Sequence, residues 1–101
     1  MALTQEQVRE LGAAIEARRR ALVDELREEP RDDGAEVARK RELGELRGIE
    51  AARQRFEEGS YGVCLDCGTD IGYARLRANP TALRCILCQT RYEKAFSGSG
   101  L

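Results

Sequence analysis

Cys64-Leu65-Asp66-Cys67 and, 17 residues later, Cys85-Ile86-Leu87-Cys88 are the stretches that decide how this 101-residue chain folds. Two residues between the cysteines of a pair let both sulfurs face one ion, and two such pairs complete a tetrahedron. The central gap falls inside the ~15–20 residues expected of a zinc site built in this way. Gly68, directly after Cys67, permits the tight turn of a knuckle. Four thiolates leave no coordination position for water. One zinc ion held by Cys64, Cys67, Cys85 and Cys88 is therefore structural, contributing on the order of 10 kcal/mol to folding without activating a hydroxide. The site carries a net charge of about −2, which Arg75, Arg77 and Arg84 in the intervening loop are placed to offset. Two other uses of such cysteines stay open: a redox dithiol and an iron–sulfur cluster. Nothing before Cys64 supplies the βαβ setting of the first, and the wide central gap favours zinc over the second.

Upstream of the cysteines the pattern is helical. Thr4 with Gln7 reads as a capping box, and Val8, Leu11, Ile15, Leu22 and Leu26 recur at helical spacing, predicting a first helix from about Gln5 to Glu29. Pro30 stops it within Pro30-Arg31-Asp32-Asp33-Gly34, a run with turn chemistry, after which Asp33 with Glu36 resembles a second cap. The second helix is expected to turn Val37 or Ala38, Leu43, Leu46, Ile49 and Phe56 inward and to end at Gly59. So short a turn makes the helices antiparallel neighbours, a coiled-coil-like hairpin reaching roughly 35 Å with its tip near residues 30–35. Glu16 with Arg20 and Glu36 with Lys40 stand one turn apart and support the helices weakly.

The expected fold class is thus mostly α: an antiparallel two-helix hairpin over residues 1–58, a small four-cysteine zinc finger ending in a short helix over 59–96, and a flexible tail over 97–101. The final helix is predicted from about Ile86 to Phe96 with Tyr92 and Phe96 one turn apart.

Composition narrows function. Lys and Arg number 17 against 18 Asp and Glu, a net charge of −1 with the signs interspersed, which suits solvated helix faces and not a polyanion binder. With no His, no Gly-rich phosphate loop and no nucleophile beside an evident base, an enzyme is not expected. No apolar run approaches the ~18 residues of a membrane span and the first residues lack signal-peptide character, so the expected compartment is the cytoplasm, where thiols stay reduced.

The stretch Glu58-Gly59-Ser60-Tyr61-Gly62-Val63-Cys64-Leu65-Asp66-Cys67-Gly68, with Ile71-Gly72-Tyr73-Ala74-Arg75-Leu76, Asn79-Pro80-Thr81-Ala82 and Cys85-Ile86-Leu87-Cys88-Gln89, closely resembles the DksA/TraR family. The resemblance implies a bacterial transcription regulator that binds RNA polymerase instead of DNA, inserting its coiled coil into the secondary channel, with one structural zinc. It also implies acidic tip residues in a pattern Asp-x-x-Asp-x-Ala near the polymerase catalytic center. Here the tip reads Pro30-Arg31-Asp32-Asp33-Gly34-Ala35, so Asp32, Asp33 and Ala35 are loose counterparts of that pattern. On the residues alone, Asp33 is a helix cap and Asp32 a solvated turn residue. A monomer is expected. The alternative is a zinc-stabilised adaptor whose hairpin serves another protein without transcriptional activity. A nucleic-acid-binding ribbon would draw only on Arg75, Arg77, Arg84, Arg91 and Lys94.

Overall fold

The structure, a computed structural model, describes residues 3–97. Four helices follow in order: α1 (Gln5–Leu26), α2 (Asp33–Glu58), α3 (Tyr73–Ala78) and α4 (Ile86–Ser97). Helices α1 and α2 form the antiparallel hairpin, and the cysteines lie in the segment that carries α3 and α4. Of the expected tail, Ser97 closes α4 and the remainder lies outside the described residues.

The capping box at the start of α1 is present. Thr4 Oγ1 accepts from the Gln7 amide at 3.1 Å, and Gln7 Oε1 accepts from the Thr4 amide at 3.0 Å. At its other end α1 stops at Leu26 and not at Glu29. The reason lies on the facing helix: the Arg39 guanidinium donates to the Leu26 carbonyl at 3.2 Å and the Glu28 carbonyl at 3.0 Å, so the chain leaves the helix with those acceptors satisfied.

The cap of α2 is Asp32, one residue earlier than expected. Its Oδ1 accepts from the Ala35 amide at 2.8 Å and its carbonyl accepts from the Glu36 amide at 3.0 Å, which makes Asp33 the first helical residue. Gly59 ends α2 in the left-handed region at φ 76°, where only glycine sits without strain.

The apolar seam runs from the finger end of the hairpin as far as Leu22, about one turn short of the end of α1. Ile15, Leu22, Ile49 and Ala52 are buried there, with Leu46, Phe56 and Tyr61 packed against them. Ile15 and Leu22, like Ile49 and Phe56, stand seven residues apart, the repeat of a coiled coil. Val37 and Leu43, expected inward, are exposed, as is Ala38. Their place in the distal half of the seam is taken by Arg39 and Glu42, both half-buried. Glu16, expected to pair along its own helix, reaches Arg53 across the seam at 2.7 Å, alongside Arg18–Glu45 and Arg19–Glu50, each at 2.6 Å. These exposed pairs fix helix register more than they add stability, each contributing at most about 1 kcal/mol.

A second cluster joins the hairpin to the finger. Leu11 of α1 is buried with Cys64, Ile71, Leu76, Ala82 and Cys88, flanked by Leu3, Tyr61 and Tyr73. Tyr61 belongs to both clusters: its ring stacks on Phe56 with centroids 3.9 Å apart, and its hydroxyl donates to the Pro80 carbonyl at 2.7 Å. The finger is therefore a mount for the base of the hairpin, while α4 approaches no other helix closely.

Candidate metal centre and hairpin tip

The first cysteine pair sits on a small turn. Val63 bridges Asp70 in antiparallel fashion, Cys64 N–H donates to the Thr69 carbonyl at 2.7 Å, and Gly68 N–H donates back to the Cys64 carbonyl at 3.0 Å. Gly68 takes φ 76° to close this knuckle, as expected from its position. The second pair is built into a helix start: Cys85 precedes α4, Cys88 lies in its first turn, and Gln89 N–H donates to the Cys85 carbonyl at 2.9 Å. The two halves are tied by Leu65 N–H donating to the Leu83 carbonyl at 2.8 Å.

All four sulfurs lie within 4.8 Å of one another, and Cys67 Sγ stands 3.8 Å from Cys85 Sγ. A tetrahedron with Zn–S bonds of about 2.3 Å places sulfurs about 3.8 Å apart, so the residues present fit the ion. All four are free thiols, not disulfides. Cys64 and Cys88 are buried, Cys85 is half-buried and Cys67 is exposed. The centre thus has a dry side facing the shared core and a wet side facing solvent. The site is a structural zinc centre with a closed set of ligands, and its chemistry is to staple two loops together.

Without metal the sulfurs cannot all ionise. Burial pushes the Cys64 thiol up, but hydrogen bonds from the Cys67, Cys85 and Asp66 backbones outweigh it and bring Cys64 down to about 6. Cys88 is pushed up to about 12 by its hydrogen bond with Cys85, then by burial. The metal-free site therefore ionises more readily at Cys64 than at Cys88, and zinc displaces a proton on entering. Zinc affinity is expected to fall as pH falls, by about tenfold per pH unit for each proton displaced. Chelator competition between pH 6 and 8 checks this, and a flat profile would refute four-thiolate ligation.

The loop arginines act as struts. Arg84 donates to Asp66 of the first knuckle at 2.8 Å, and its guanidinium lies 4.0 Å over the Tyr92 ring of α4, so one side chain links both cysteine pairs to the last helix. Arg75 donates to the Arg84 carbonyl at 2.9 Å, and Arg77 is exposed. Two junction contacts had no sequence signal. Tyr73 of α3 donates to both carboxylate oxygens of Glu10, at 2.7 and 2.6 Å, and Arg55 donates to the Ser60 and Val63 carbonyls.

At the far end, Asp32 and Asp33 are exposed and Ala35 is half-buried. Asp32 spends one oxygen on the α2 cap, which leaves Asp33 as the uncommitted acid. An open cavity of about 250 Å³ lies behind them, lined by residues that include Glu25, Glu28, Arg31, Asp32, Arg39 and Glu42. The structure brings the four cysteines together and places the tip acids on the opposite end of the hairpin.

A helical hairpin bolted at its base to a closed four-cysteine centre defines a class of small zinc-stapled helical proteins. Residues 59–94 match the family model described as the prokaryotic dksA/traR C4-type zinc finger. It is 48% identical over 46 residues to the RNA polymerase-binding transcription factor DksA of Caulobacter vibrioides, a match covering 46% of this chain and 32% of that protein. It is 42% identical over 55 residues to the factor of the same name from Escherichia coli K12, covering 54% of this chain and 36% of that one. The matched segments thus span about a third of those relatives' length. The solved structure of the RNA polymerase binding protein and transcriptional regulator Dks from Chlamydia trachomatis superposes with a TM-score of 0.69 at 28% identity, covering 93% of this chain and 95% of that one.

Proposed function

We propose that this protein binds RNA polymerase and regulates transcription, with the hairpin entering the secondary channel and the zinc finger as its mount. The single observation that carries this reading is the likeness to the Chlamydia regulator along both the hairpin and the finger, not the finger alone. A narrow two-helix arm with charged side chains along its exposed faces suits insertion into a water-filled channel. In this reading the protein is a cytoplasmic monomer, carries no catalysis and needs no direct contact with DNA. None of its described helices is long and apolar enough to cross a membrane, in keeping with this. Purified protein is expected to co-elute with bacterial RNA polymerase and to be displaced by another secondary-channel factor. Failure of both removes the proposal.

The tip tests the mechanism. Asn caps a helix about as well as Asp, so Asp32→Asn with Asp33→Asn removes both charges and leaves the fold intact. The double variant is expected to retain polymerase binding and to lose most of the transcriptional effect. The adaptor reading is favoured by one observation, the adjacent placement of Asp32 and Asp33 with the first committed to a cap. An unchanged transcriptional effect in the double variant would support that reading, or a role for the sides of the hairpin.

A further inference from the structure

The distal half of the hairpin contains a carboxyl group with no good solution as an anion. Glu42 Oε2, on the seam side of α2, is shielded from solvent and has no hydrogen-bond partner among the described groups that would suit a carboxylate. The two nearest cations are turned to other partners. Arg18 of α1 grips both oxygens of Glu45, at 2.6 and 2.9 Å, and Arg39 of α2 is turned to the Leu26 and Glu28 carbonyls. An acid of α1, Glu25, lines the same cavity as Glu42. Glu28, Glu29, Arg31 and Asp32 line the same cavity further toward the tip. A shielded carboxylate beside a second carboxylate is costly, and the standard resolution is a proton held between the two.

We propose that Glu25 and Glu42 share a proton across the seam and so form a clasp that holds the distal hairpin closed while protonated and loosens it when the proton is lost. In the protonated pair Glu42 donates to Glu25, and the orphaned oxygen acquires a partner. The hydrogen bond to Glu25, then burial, then repulsion from Glu25 raise the Glu42 carboxyl above its ordinary value of 4.5, against the opposing pull of Arg18 and Arg39. An acid raised in the folded state adds stability that is complete below its ordinary value and is lost as pH rises through the raised one. Acidification therefore tightens this segment, in contrast to an acid held low by an ion pair. Beyond the clasp lie only Leu26 of α1, the loop and the first turns of α2, so its state sets how firmly Asp32 and Asp33 are presented. That last consequence rests on the function proposed above.

Carbon-13 titration of the carboxyl groups in the full chain tests the pair directly. Glu42 is expected to titrate above its ordinary value of 4.5, and Glu25→Gln to move it down toward that value, because Gln donates to the carboxylate. Hydrogen exchange of amides 20–28 and 36–43, corrected for intrinsic rates, is expected to show protection lost as pH rises through that midpoint. Glu42→Gln, which supplies the missing donor permanently, is expected to abolish this dependence. Glu42 titrating at or below its ordinary value of 4.5, or the wild type and Glu42→Gln losing protection in parallel, would overturn the clasp. These measurements contain no polymerase, so their failure leaves the functional proposal standing, and the absence of polymerase binding would leave the clasp standing.

Discussion

Stripping zinc from the protein is expected to unfold the segment over residues 59–94 and to detach it from the hairpin. A closed four-thiolate centre contributes on the order of 10 kcal/mol, as much as the whole net stability of an ordinary domain of about 5–15 kcal/mol. Nothing else in the segment is large enough to replace it. Helix α3 has six residues, too few to persist alone, and α4 is anchored through Cys88 and the Arg84–Tyr92 contact. Two of the six buried residues of the shared cluster, Cys64 and Cys88, are themselves ligands, so losing the ion dissolves that cluster from inside. The hairpin keeps Ile15, Leu22, Ile49 and Ala52 and is expected to stay partly helical, fraying from its base. Treatment with a chelator, or Cys88→Ala, followed by amide spectra and thiol labelling, measures this. Spectra unchanged over residues 59–94 while all four thiols react would contradict it.

Leu11→Ala is expected to produce the largest effect of any substitution away from the metal. Leu11 is 2% exposed and is the hairpin's buried contribution to the cluster that otherwise belongs to the finger. Truncating it opens a cavity between the two units, at a cost of about 2–5 kcal/mol. In a chain of this size each kcal/mol lowers the melting temperature by about 4–8 °C. The polar ties between Tyr73 and Glu10 are exposed and compensate little. A thermal melt of the zinc-loaded variant checks the magnitude, and Leu11→Met, which conserves volume, is expected to cost under about 1.5 kcal/mol. A Leu11→Ala protein that melts with the wild type would show that the finger and the hairpin are not coupled through this cluster.

Both expectations bear on the proposed function. An arm that enters a channel must be held at a defined angle to its mount, and here that angle depends on one apolar cluster, one ring shared between two cores and a metal. Loss of zinc would disable the arm without touching its tip. The clasp between Glu25 and Glu42 acts at the other end and leaves the mount unchanged.

What the amino-acid sequence determined by itself is everything set by neighbours within a turn or two: the zinc ligands, the capping box at Thr4, the glycine stop at Gly59 and the alternation of two long helices with a turn. Each follows from backbone geometry and short spacings that act before any long-range contact forms. Only the tertiary structure decided where α1 ends and which residues fill the distal seam. Arg39 reaches back to the Leu26 carbonyl across 13 residues, and Tyr73 reaches Glu10 across 63. Helical periodicity placed Val37 and Leu43 inward because it scores hydrophobicity along one helix. The seam there is filled by Arg39 and Glu42, which satisfy or oppose groups on the other helix, and no local pattern records that choice.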